Sequence, residues 1–206
     1  MNKLFKQKNK GFTRTPKFGV TPKGGGFTLV ETLVAISIFT MSILGLMSVL
    51  ADGISDTNYA KKKTIAAYLG QEGVEYVRNM RDTFVLYDST SVDNGWNLFK
   101  TKLTNASCFT ANGCYFGDLT SAAFVNANQP MAGITMNACP ATCPHLLYYS
   151  AYGHYGYFGT NSGFIRKIKA EQITTNEIKI YSTVSWTQGS GNYSVTFSDN
   201  LFNWIE

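Results

Sequence analysis

Lys23-Gly24-Gly25-Gly26-Phe27-Thr28-Leu29-Val30-Glu31, continuing as TLVAISIFTMSILGLMSVLA to residue 51, joins a basic segment to a long apolar one. Within residues 27–51 the only charge is Glu31. As a helix rising ~1.5 Å per residue the run measures about 37 Å, more than the roughly 30 Å of bilayer hydrocarbon. A charged side chain in such a span costs about 2.5–3.5 kcal/mol on insertion scales, so a carboxylate kept there signals a task.

Upstream, residues 1–26 carry Lys3, Lys6, Lys8, Lys10, Arg14, Lys17 and Lys23 and no acid. These are seven of the 18 basic side chains in the 206-residue sequence, which leaves 11 basic against 13 acidic residues after Gly26, a formal charge of −2. The net +5 of the whole sequence therefore belongs to its first segment, and the body offers no electrostatic argument for nucleic acid. Cations before an apolar span hold that end in the cytoplasm, which predicts residues 52–206 on the far side. A secretory signal peptide has an apolar run of about 7–15 residues, shorter than this one. A plain single-pass anchor gives no reason for Glu31. A lipoprotein would need a cysteine after the run, and the first cysteine is Cys108.

The glycine at 26, the aromatic residue at 27 and the glutamate four positions on resemble the prepilin peptidase site of type IV pilins and type II secretion pseudopilins. The resemblance covers about a quarter of the chain. It implies cleavage between Gly26 and Phe27 by a membrane-embedded peptidase, N-methylation of the new Phe27 amine, and assembly into a filament through the helix behind it. Glu31 then meets the Phe27 amine of a neighbouring subunit and sets the axial register. A glycine before the scissile bond suits such a protease because no side chain blocks access. The implied partners are prepilin peptidase, other pilin or pseudopilin subunits, an inner-membrane assembly platform and membrane lipid before assembly. The implied location is the inner membrane, N-terminus in the cytoplasm, and afterwards a surface or periplasmic filament. No cofactor or enzymatic activity is implied. Two departures favour a minor pilin or pseudopilin over a major pilin. The leader is long, and the twenty-second mature position, often proline in major pilins, is Ser48, with no proline between Pro22 and Pro130.

Residues 52–82 continue with helical patterning, and Ile65, Tyr68, Leu69, Tyr76, Val77 and Met80 mark an apolar stripe for packing on a sheet. The stretch 66–79 resembles the second half of the first helix in pseudopilins of the I/V type. Asp82 to Gly95 reads as loop or short elements ending in the turn-like Asp93-Asn94-Gly95. Asp88 and Asp93 do not have calcium-loop spacing. Residues 97–103 suit a short helix or strand. Residues 104–144 lack periodicity and read as loops and short strands pinned by Cys108, Cys114, Cys139 and Cys143. Four cysteines beyond a membrane segment point to disulfides, with local pairing preferred among three connectivities. A zinc site assisted by His145 and His154 is the competing reading.

From His145 onward the pattern is β. Residues Ile178 to Trp186 and Tyr193 to Phe197 alternate around a turn at 188–191, an antiparallel hairpin signature, and Phe164 to Ile168 is a further strand. Tyr148, Tyr149, Tyr152, Tyr155, Tyr157 and Phe158 lie among glycines. They read either as rings packed on a neighbouring strand or as a stacking surface for a glycan or single-stranded DNA, the latter suiting an adhesin or DNA-capturing tip subunit. The hairpin and the closing Leu201-Phe202-Asn203-Trp204 resemble minor pilins. The expected architecture is α+β. A leader (1–26), a membrane and assembly helix (27–51) and its amphipathic continuation (52–82) precede an extracytoplasmic head (83–206), whose antiparallel sheet packs on the helix.

Overall fold

A computed structural model describes residues 26–87, 90–117 and 134–203. The leader up to residue 25, Asp88, much of the expected insertion and Trp204 lie outside the described residues. Helix α1 (Leu29–Tyr87) and helix α2 (Val92–Asn105) are followed by β1 (Cys114–Phe116), β2 (Met136–Ala138), β3 (His145–Tyr149), β4 (His154–Gly156), β5 (Thr160–Thr174), β6 (Glu177–Gln188) and β7 (Gly191–Phe202). The strands form one antiparallel sheet. The fold is α+β, with a long N-terminal helix, a C-terminal sheet and two disulfides in the intervening loops.

Two compact units divide at Leu50 and Ala51. The first contains the apolar part of α1, where residues 26–50 are exposed throughout. This helix is long and apolar enough to cross a membrane. Its hydroxyls cap carbonyls of the preceding turn: Thr32 donates to Leu29 O, Ser37 to Leu33 O, Thr40 to Ser37 O and Ser42 to Ile38 O, at 2.8–2.9 Å. Hydroxyls satisfied within the helix can sit in hydrocarbon without the cost of bare polar groups.

The second unit is the head. Strands β5, β6 and β7 form a long meander whose core face is set by alternation: Phe164, Arg166, Ile168 and Ala170 on β5, and Ile178, Ile180, Ser182, Val184 and Trp186 on β6. The α1 face that covers it is Ala66, Leu69, Gly70, Gly73, Val77 and Met80, at helical spacing. Tyr68, which the apolar stripe included, is 68% exposed, and Ile65 and Tyr76 are only partly buried. Small residues replace them because the sheet comes so close. A Cβ on Gly73 would lie 2.4 Å from Ser182 Oγ, and one on Gly70 2.7 Å from the Phe197 ring.

The expected loop from Asp82 to Gly95 is mostly helix. Helix α1 runs on to Tyr87, and Asp93-Asn94-Gly95 belongs to the first turn of α2 rather than to a solvated turn. Ser91, extended at φ −172°, caps α2 by accepting from the Asn94 amide at 3.1 Å. Gly95 is where the two helices meet, since a Cβ there would lie 2.4 Å from Phe84 O. Trp96, Phe99 and Leu103 fill the core beneath α2, and Trp96 Nε1 donates to Thr175 O at 3.0 Å. Residues 97–103 are thus part of a longer helix.

The cysteines pair locally, Cys108 with Cys114 and Cys139 with Cys143, closing the α2–β1 and β2–β3 loops, and all four are buried. With every sulfur bonded to another, none remains as a zinc ligand.

Candidate functional site

Gly26 and Phe27 precede the first turn of α1 in non-helical backbone. No atom lies within 4 Å of a Cβ built on Gly26, and Phe27 is 79% exposed. The helix begins because Thr28 caps it. Its carbonyl accepts the first helical bond, from the Thr32 amide at 3.1 Å, and its Oγ1 accepts from the Glu31 amide at 3.2 Å. Thr28 and Glu31 thereby take the first and fourth places of a Thr-x-x-Glu box, which puts the carboxylate in the first turn, where the helix dipole favours negative charge. The sequence reading missed Thr28, although Thr28-Leu29-Val30-Glu31 before an apolar run is itself the signal. The bond between residues 26 and 27 is accessible and non-helical, and the only carboxylate of the span lies four residues beyond it.

Within the head the main polar anchor is a buried arginine that sequence reading also missed. Arg166, 1% exposed on the core face of β5, donates through Nη1 to Glu72 Oε2 at 2.7 Å and to Leu69 O at 3.2 Å. Its guanidinium lies 5.6 Å from the Tyr76 ring and 5.4 Å from Phe116. Tyr76 donates to the other Glu72 oxygen at 2.8 Å; burial first, then the Glu72 charge, pushes its phenol well above the usual value. The signal was present, because Arg166 falls in phase with Phe164 and Ile168. Further ties run from Arg78 to Asp199 at 2.7 Å, from Arg81 to Phe202 O at 2.8 Å and from Lys62 to Thr187 O at 3.1 Å.

The tyrosines do not form one surface. Tyr148 and Tyr155 face each other across β3 and β4, rings 5.1 Å apart, and Tyr155 turns its edge to core Phe164. Tyr157 packs against both core clusters and against Tyr115 at 5.3 Å; burial pushes its phenol up to about 12. Tyr149 sits among Tyr152, His154 and Phe158, with ring separations of 5.1–5.7 Å, and Tyr152 and Phe158 are largely exposed. His145 and His154 are exposed strand residues. Asp93 accepts a 2.7 Å bond from Asn203.

The family model described as the prokaryotic N-terminal methylation motif matches residues 22–47, the span that holds Gly26, Phe27, Thr28 and Glu31. Comparison with the curated proteins and with the solved structures gives no match. The first helix of this chain thus carries the N-terminal methylation motif, the signature of type IV pilins and pseudopilins.

Proposed function

We propose that the chain is a minor pilin or pseudopilin, a structural subunit of a type IV pilus-like filament or of a type II secretion or DNA-uptake machine. It is made with its leader in the cytoplasm and residues 27–51, which hold the apolar part of α1, in the inner membrane, cut after Gly26, and N-methylated on Phe27. The observation that carries the reading is the motif at residues 22–47, with an open Gly26–Phe27 bond directly before a capped helix start.

Cleavage leaves an amine on Phe27 four residues from Glu31. In a filament, Glu31 of one subunit meets the Phe27 amine of the next, and the desolvation cost of each charge is offset by the other. The exposed apolar side chains from Phe27 to Leu50 serve first as lipid contacts and then as contacts between subunits. Replacing Gly26 by Val should leave uncut precursor in the membrane. Replacing Glu31 by Ala should leave insertion and cutting intact yet lower incorporation into sheared filaments. Wild-type incorporation of the Glu31→Ala chain would rule out the register role.

A further inference from the structure

β1 and β3 share one edge of β5. β1 pairs at Cys114 with Ile168, and β3 takes over at His145 with Ile165. Around this change of neighbour lies an open cleft of about 670 Å³, walled by Tyr115, Tyr157 and Phe158, with Asn137 and His145 among its polar residues. Among the described residues that line it, none is an acid, a lysine or an arginine. In the sequence, Asp118 directly follows lining Gly117, and residues 119–165 contain no Asp, Glu, Lys or Arg.

We propose that this cleft binds a neutral oligosaccharide. Pyranose rings present apolar C–H faces and neutral hydroxyls, and the cleft offers the complement. Aromatic faces stack on the sugar, while amide, imidazole and phenol groups hydrogen-bond its hydroxyls. Its volume is in the range of sites that enclose small ligands. A single-stranded nucleic acid fits less well. Aromatic stacking platforms for such strands run along a cationic groove that tracks the phosphates, and no lysine or arginine is among the described residues lining this cleft. The proposal goes beyond the filament role and does not depend on it.

The test uses the full chain in lipid nanodiscs, which avoids sugar-headed detergents, titrated by calorimetry with cellohexaose, chitohexaose, maltohexaose and a dT20 oligonucleotide. Saturable binding of at least one hexasaccharide is expected, insensitive to salt. Phe158→Ala and Tyr115→Ala should each weaken it by about tenfold, the scale of one stacking ring. Tyr68→Ala, on the exposed face of α1, should leave it unchanged, and near-ultraviolet dichroism should confirm that all three variants fold. No saturable binding of any hexasaccharide would overturn the proposal. So would binding unaffected by Phe158→Ala, or preferential binding of dT20 that falls steeply with salt. A chain that still assembles into filaments but binds none of the sugars would refute the cleft proposal alone.

Discussion

At the scale of single residues, two side chains carry more than their size suggests. Arg166 is fully buried, and its charge is matched by one carboxylate, Glu72, about a third of which is exposed. Replacing Glu72 by Ala leaves a guanidinium in the core with one backbone carbonyl and two ring faces, a larger loss than the pair's own net worth. Breaking a buried pair costs roughly 3–5 kcal/mol, and the exposure of Glu72 sets the expectation at the low end, about 3 kcal/mol. Urea unfolding of the Glu72→Ala chain measures it, and a change below about 1 kcal/mol, the level of an exposed pair, would contradict it. Tyr157 makes a prediction of opposite character. Its folded pKa, about 12, lies above the ordinary 10.0, so its burial contributes stability that is fully present below pH 10 and lost as pH rises toward 12. Tyr157→Phe should therefore be close to neutral at pH 7 and should unfold less steeply than wild type between pH 10 and 12.

At the scale of elements, what was legible followed periodicity, and what was not followed contact. The β6–β7 hairpin could be read because Ile178 to Trp186 and Tyr193 to Phe197 alternate, and a two-residue turn joins them. The long helix could be read from its unbroken, proline-free pattern. Its packing face could not, because a stripe drawn from large apolar residues picks Tyr68 and passes over Gly70 and Gly73. Whether a glycine is a soft spot or a point of close approach depends on the partner, which local sequence does not contain. Gly95 repeats the lesson: Asp-Asn-Gly is turn chemistry in isolation, yet α2 needs a residue without a side chain where it meets Phe84. Gly73→Ala is expected to cost about 1–3 kcal/mol through overpacking against Ser182 and Arg166, although alanine is the better helix former. A stabilised Gly73→Ala head in thermal unfolding would mean that the helix and sheet are farther apart than described. At the N-terminus the methylation motif was legible in the sequence, whereas the cap at Thr28 emerged only with its hydrogen bonds.

At the scale of the whole chain, the proposed cut after Gly26 changes both charge and chemistry. The precursor, with pI near 8.9, loses seven cations and no acid, so the mature subunit carries a formal −2 and should focus on the acidic side of neutrality. On this proposal the same cut creates the amine that Glu31 of a neighbour meets, which would make it the step between a membrane protein and a subunit able to polymerise. Mass spectrometry of the subunit recovered from sheared filaments tests this most directly. The account predicts a chain beginning at N-methylated Phe27 with both disulfides intact. A recovered chain that retains residues 1–26, or one that has lost the whole apolar run as a secreted product would, contradicts it.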